Sequence, residues 1–385
     1  MYKKSNYIIW IGSIYEEKHL KDNVATSPAA NYWQISFLKG LQYNQEKLVI
    51  LSAHFQRIYP FGNLLPNGAN FWKKGFKIIS SLYINLPLFK ELTIYLSFKF
   101  KVIKLIKNDG LPKCIISYNP TYENTKIALY INNKYNITWI DLCADSFNTG
   151  DQWEKYSNLA KKANAHVFLS YFAYTNCPFS NLLHFDGGID SGNINHINIE
   201  NTTAKTLLYS GMLGEYGGVD VLIESFLKIK NHNIKLLICG HGKCSKFFNE
   251  SILKDSRIVF RGLVSEGELE KLYNLADIFI NPRPEKINGG EMNFPSKIHK
   301  YLSFGKPIIS TKTLGLGPEY DDYLFYFNST SASSLEKVIS QIINWNICER
   351  IEYAERVKRY IETQKNWNSQ TKYFTNWLNN KIIIK

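Results

Sequence analysis

Residues 206–228 read Thr206-Leu-Leu-Tyr-Ser-Gly-Met-Leu-Gly-Glu-Tyr-Gly-Gly-Val-Asp-Val-Leu-Ile-Glu-Ser-Phe-Leu-Lys228, and their pattern sets the fold class. Thr206–Tyr209 is a short apolar run, as in a parallel strand covered on both faces. It enters a glycine-rich loop, Ser210–Gly218, whose bare backbone can approach a phosphate. Val219, Leu222, Ile223, Phe226 and Leu227 then recur at helical spacing as one apolar stripe. Strand, glycine loop and helix in that order make the βα unit of a doubly wound α/β sheet.

The same alternation extends both ways along the chain. In the second half, Lys235–Cys239, Arg257–Phe260, Asp277–Ile280 and Pro307–Ser310 read as further strands; Ser265-x-x-Glu268 is a capping box that opens a helix through Ala276. In the first half, Tyr7–Ile11, Leu48–Leu51, Cys114–Ser117, Ile137–Ile140 and His166–Leu169 read the same way. At 385 residues the chain exceeds one compact core. We expect two Rossmann-like domains facing a central cleft, residues 1–185 and 186–364. The polar stretch from Asp186 to about Ala204 links them, and a helix of about 365–385 returns to pack on the first.

Composition narrows the class. With 45% hydrophobic and 21% charged residues the chain is globular rather than disordered. Six cysteines lie without metal-ligand spacing and read as free thiols in a reducing cytoplasm, so no metal is expected. The apolar run at Tyr7–Gly12 is too short for a secretory leader, and no window is long enough to span a bilayer. The net charge is +13, and no nucleic-acid motif accompanies it. Much of the excess lies in Phe71–Asp109, where lysines alternate with aromatic and aliphatic residues. That stretch reads either as contact with an anionic membrane surface or as a pair of amphipathic helices with solvated lysines.

Three segments of the second half carry candidate chemistry. The first is the loop containing Gly211, Met212 and Gly218. The second pairs Cys239-Gly-His-Gly242, with Gly240 and Gly242 letting a flat base lie against the backbone, with Arg261-Gly-Leu-Val264. The third is Asn281-Pro-Arg283, followed by Glu291-Met-Asn-Phe-Pro-Ser-Lys297. Pro295 suits the start of a helix, and Ser296 and Lys297 would lie at its positive end with Arg283 nearby. Two cations at free amides are suited to a diphosphate leaving group. In the first half, Asp141 and Asp145 follow a buried strand and are expected at its carboxyl end, either to orient or deprotonate an acceptor hydroxyl or as loop and helix-cap carboxylates.

These segments resemble the donor half of the group-1 glycosyltransferases of the GT-B fold. The spacing of Tyr209-Ser-Gly211, Gly218-Val219, Ile238–Gly242, Arg261–Val264 and Leu272-x3-Ala-Asp277 is similar to theirs. Asn281-Pro-Arg283, Phe294-Pro-Ser-Lys297, Gly305-Lys-Pro307 and Gly315-x3-Glu319-Tyr320 resemble a bacterial surface-polysaccharide branch. Ser27-Pro-Ala-Ala-Asn31 resembles the loop bordering the acceptor site. Phe185–Ile189 resembles the approach to the donor domain. The family carries a basic residue in its first glycine loop, where this chain has Met212 and Gly217. Its Glu-x7-Glu pair falls on Met292 and Lys300, with Glu291 one position from the first.

The resemblance implies a retaining hexosyltransferase that moves a sugar from a nucleotide diphosphate sugar to a lipid-linked or polysaccharide acceptor in bacterial surface-glycan biosynthesis. The donor would lie on Gly211, Met212, Gly218, Gly240, Gly242, Val264, Arg283, Pro295, Ser296 and Lys297. The acceptor would approach Ser27 and Asn31, with Asp145 and Glu291 as catalytic carboxylates. The expected location is cytoplasmic and peripheral on the inner face of the membrane, with no cofactor besides the donor substrate. Two alternatives stand beside it. One is a catalytically silent homologue acting as a partner in a glycan-assembly complex, which Met292 and Lys300 favour. The other is a nucleotide-sugar epimerase on the same plan.

Overall fold

The computed structural model describes residues 2–15, 27–53, 55–66, 71–73 (backbone only), 75–144, 158–190, 205–285, 293–328 and 331–383. They form two compact units, Met1–Gly188 with Trp367–Lys385, and Ile189–Asn366.

In the first unit the strands are β1 (Tyr7–Gly12), β2 (Lys47–Ser52), β3 (Phe71–Lys73), β4 (Phe76–Ser80), β5 (Cys114–Tyr118), β6 (Trp139–Cys143), β7 (Ala165–Phe168) and β8 (Leu182–His184). They lie in the order β3-β4-β2-β1-β5-β6-β7-β8, all parallel except the β3–β4 pair. All six residues of β1 are buried, as its central place requires. The helices are α1 (Pro28–Tyr43), α2 (Phe89–Asp109), α3 (Tyr122–Tyr135) and α4 (Tyr171–Asn176).

The second unit has β9 (Lys205–Leu213), α5 (Val219–Lys228), β10 (Ile234–Gly242), α6 (Lys246–Lys254), β11 (Ile258–Phe260), α7 (Glu266–Leu275), β12 (Ile278–Asn281), α8 (Lys297–Leu302), β13 (Ile308–Thr311), β14 (Leu324–Phe327), α9 (Ala332–Ile343) and α10 (Ile347–Tyr360). Its sheet is wholly parallel, in the order β11-β10-β9-β12-β13-β14. Val219, Leu222, Ile223 and Phe226 of α5 and Leu335, Ile339 and Ile342 of α9 bury together against it. Ser245, Ser265 and Asn346 cap α6, α7 and α10 with side-chain oxygens.

The chain then re-enters the first unit as α11 (Trp367–Trp377). Trp367 meets Trp33 edge-on at 5.6 Å, and Phe374 meets Phe37 at 5.0 Å. Gly40 is bare because a Cβ there would stand 2.6 Å from Thr371, whose hydroxyl accepts from Asn44. The alternating α/β reading of the sequence therefore holds in both units.

Several local readings change. The Phe71–Asp109 stretch is not a pair of helices: Phe71–Lys73 and Phe76–Ser80 form an edge hairpin turned at Gly75 (φ +90°), and only α2 is helical. Phe76-Lys-Ile-Ile-Ser80 is a buried β-branched run, and burial selects the strand. Leu227 lies at the exposed edge of its stripe. The strand expected at Ile137–Ile140 is displaced to Trp139–Cys143. Asp141 thus stands inside a strand, where the Ser117 hydroxyl donates to its Oδ1 (2.8 Å). It is fully buried rather than at the strand's open end. Asp145 lies outside the described residues.

Candidate functional site

In the second unit, β9, β10 and β11 succeed one another in one direction across the sheet, and β12, β13 and β14 in the other. The strand order reverses between the parallel neighbours β9 and β12, so the crossovers after these two strands leave on opposite faces and open a gap beyond their carboxyl ends. Those ends are Ser210–Leu213 and Asn281–Arg283, which the sequence had separated by seventy residues.

The glycines show how closely the elements meet there. β9 and β10 do not stop at Tyr209 and Cys239; they pair onward through Gly211↔Gly240, Met212↔His241 and Leu213↔Gly242. The first half of the expected loop is therefore strand. A Cβ on Gly240 would strike the Gly211 carbonyl, and one on Gly242 would stand 2.6 Å from the Leu213 carbonyl. Gly218 holds φ +68° at the start of α5, and a side chain there would collide with the Pro282 carbonyl. Only glycine satisfies both demands. Met212 is half-exposed beside this backbone, and Val264 is half-buried just before the α7 cap.

Two cations reach this point. Lys297 is the first residue of α8, and its ammonium fills the space beside Gly211, 5.1 Å from the centre of the Tyr209 ring. α8 is held to β9 by Tyr301, one turn on, whose hydroxyl accepts from the Ser210 amide (3.3 Å) and bonds its hydroxyl (3.2 Å). Tyr273 completes the cluster by bonding Ser210 Oγ at 3.0 Å. Arg283 follows β12, stacks over the Tyr216 ring at 4.4 Å and donates to the Tyr216 hydroxyl. Its own carbonyl accepts from Thr311.

The electrostatics follow from the placement. Burial, and then the positive charge of Arg283, push Lys297 down to about 8. Burial pushes the Tyr209 and Tyr301 hydroxyls up, so both remain neutral donors. Two mutually repelling cations beside open backbone are arranged for an anion, which would relieve the repulsion.

Pro295 is buried and Ser296 exposed; α8 begins after them, and Ser296 makes no side-chain capping bond. α8 has six residues, so its dipole is slight and the side-chain charges carry the site. Glu291, like Met292, lies outside the described residues. Lys300 points to α7, pairing with Glu270 (3.0 Å) and lying over Tyr273 and Phe304. In the first unit Ser27 precedes α1 without a side-chain capping bond. Asn31 is buried, its amide bonded at both ends to the Tyr15 main chain (3.1 and 3.2 Å). It ties the loop after β1 to the start of α1.

Sequence reasoning missed Tyr209, Tyr216, Tyr273 and Tyr301. For Tyr301 a signal existed: it stands four residues after Lys297, on the same helical face. For the Arg283–Tyr216 stack there was none.

The chain is similar to known proteins in sequence and in fold. Residues 204–344 match the family described as Glycosyl transferases group 1. A stretch of 82 residues is 33% identical to an uncharacterised glycosyltransferase of Methanocaldococcus jannaschii, covering 20% of this chain and 21% of that protein's length. A glycosyltransferase from Rickettsia africae superposes with a TM-score of 0.67 at 16% identity, over 99% of both chains. The Anabaena protein HepE, solved with UDP and glucose, superposes with a TM-score of 0.63 at 12% identity, over 97% of this chain and all of that one. The fold is that of the GT-B glycosyltransferases, and the family match falls on the unit that holds the switch-point cations.

Proposed function

We propose that the protein is a retaining glycosyltransferase that takes a sugar from a nucleotide diphosphate to a lipid-linked or glycan acceptor in bacterial surface-glycan assembly. One observation carries the reading: at the switch point of the family-matched unit the Lys297 ammonium stands against the bare backbone of Gly211, and Arg283, whose backbone adjoins Gly218 and whose guanidinium stacks on Tyr216, is close enough to repel it. The UDP and glucose bound by HepE support a nucleotide sugar as the ligand class.

In this reading the diphosphate lies against Gly211 and Gly218. Lys297 and Arg283 neutralise the charge that grows on the leaving phosphate as the glycosidic bond breaks, taking the role a divalent ion would otherwise play. The acceptor hydroxyl attacks from the face the phosphate leaves, passing its proton to that phosphate, so the anomeric configuration is retained. Glu291 and Asp145 are the carboxylates proposed to orient sugar and acceptor. The lipid-linked form of the acceptor would place the enzyme at the cytoplasmic face of the membrane.

Calorimetric titration with UDP, GDP, ADP and their common sugars tests the site. We expect one nucleotide to bind the wild type, and to bind Arg283→Ala and Lys297→Ala at least about tenfold more weakly, the loss of one charge-assisted hydrogen bond. No binding up to millimolar nucleotide would overturn the donor assignment. A second reading has its own observation: Lys300, where the family has a glutamate, is occupied by Glu270. A silent partner protein would bind nucleotide without hydrolysing or transferring any sugar, which assay of the same samples would reveal.

A further inference from the structure

α2 has two apolar faces. Ile94, Phe98, Val102, Leu105 and Ile106 enter the core of the first unit. Phe89, Leu92, Leu96 and Phe100 run along the opposite side and are exposed, Phe100 at 72%. A surface helix normally shows water a polar face.

Neighbouring segments widen this stripe. The Leu82 amide donates to Ser97 Oγ and the Ile84 amide to Thr93 Oγ1, both at 3.0 Å, which lays residues 82–84 along the flank of α2. Asn85 is fully buried and staples on a second segment. Its amide nitrogen donates to the Leu64 carbonyl (2.8 Å), and its carbonyl accepts from Tyr59 (3.1 Å). Its side chain donates to the carbonyls of Arg57 (2.7 Å) and Asn63 (3.0 Å). Phe61 and Leu65 on that segment, and Leu82 beside α2, are exposed. Leu88, just before α2, is 92% exposed and holds φ +68°, a strained conformation for a leucine. The fold keeps these side chains outside on a braced platform.

Charge identifies what covers it. Exposed Arg57, Lys104 and Lys107 belong to these same elements, whose carboxylates are Glu91 and Asp109, the latter paired with Lys77. Other lysines of the region are spent inside the unit: Lys90 on the Gln56 carbonyl, Lys101 on the Ser80 carbonyl, and Lys99 over Tyr95 and Tyr130. A second copy of the chain, packed about a twofold axis, would set the same cations against themselves. An anionic bilayer complements both features.

We infer that the platform carrying Phe61, Leu65, Leu82, Leu88 and Phe100 docks on an anionic lipid bilayer, with Arg57, Lys104 and Lys107 meeting lipid phosphates. The apolar residues enter the headgroup–acyl boundary, so the aliphatic and aromatic side chains, rather than the lysine run alone, set the depth and orientation. This deepens the membrane part of the proposed function. Its test uses lipid alone, so its failure leaves the donor reading untouched.

The full chain is sedimented with vesicles of phosphatidylcholine, with and without phosphatidylglycerol. The wild type is expected to pellet with the anionic vesicles and to be released by salt. Leu88→Ser/Phe100→Ser and Lys104→Glu/Lys107→Glu are each expected to bind at least about tenfold more weakly with unchanged nucleotide binding. A fluorophore on Leu88→Cys should shift to the blue on anionic vesicles, and this readout stands even if a double variant fails to fold. Equal pelleting of wild type and both double variants, or no pelleting of the wild type, overturns the proposal. So does a lipid-free dimer that Leu88→Ser/Phe100→Ser dissociates, which would assign the platform to a second copy.

Discussion

The Lys297 ammonium stands where a side chain on Gly211 would have to go. Strand and lysine, 86 positions apart in sequence, are thus fitted to one another to the size of a methyl group. Gly211→Ala should displace the ammonium and, at φ +155°, strain the backbone as well. We expect nucleotide affinity to fall about 10- to 100-fold, the cost of one charge-assisted bond, with a lowered melting temperature.

Arg283 and Lys297 repel one another while the site is empty. Their single replacements by alanine should therefore be less than additive, because removing one cation relaxes the other. A double-mutant cycle on nucleotide affinity should give a coupling of about 0.5–3 kcal/mol.

The lowered Lys297 also makes binding pH-dependent. The diphosphate selects the ammonium form and raises its pKa, so binding takes up a proton. Affinity should be steady below pH 8 and fall as pH rises through about 8, approaching tenfold per pH unit. Lys297→Arg keeps its charge throughout and should flatten the profile in calorimetric titrations.

Stability of the second unit has a separate anchor. Asp277 accepts from the Thr206 amide (2.8 Å) and pairs with Arg350 (3.0 Å), both side chains being mostly buried. Asp277→Ala leaves a guanidinium and an amide without their acceptor. A loss of about 3 kcal/mol is expected in denaturant unfolding.

Lys300→Glu would face Glu270 as a like charge. Because the pair is two-fifths exposed, the single change should cost at most about 1 kcal/mol, and Lys300→Glu/Glu270→Lys should recover most of it. Thermal melts of the wild type, Lys300→Glu, Glu270→Lys and the double variant would measure this.

The sequence made the layering legible because parallel strands buried on both faces are written as unbroken apolar runs. Tyr7–Ile11 and Thr206–Tyr209 could hardly be read otherwise. It was least legible where tertiary contact outweighs local pattern. Leu182–His184 and Leu324–Phe327 are short edge or near-edge strands with no turn signal of their own. Asp141 sits inside a strand paired on both sides, where the Ser117 hydroxyl donates to its carboxylate. At the site, the glycines and both cations carried a chemical signature, whereas the tyrosines that aim the cations read simply as core aromatics.

The chain passes between its two units twice, and the crossings are adjacent. Ile189 bridges to Asn366, its amide bonded to the Lys365 carbonyl (2.7 Å), while the Gly188 backbone lies against that of Trp367. Residues 189–366 are therefore inserted as a cassette whose two ends meet, and the host unit's ends meet as well. Removing the cassette would leave a gap that a few residues can close at small entropic cost. The α11 clasp on α1, through Trp367 with Trp33 and Phe374 with Phe37, is thus closed by residues of the host unit alone.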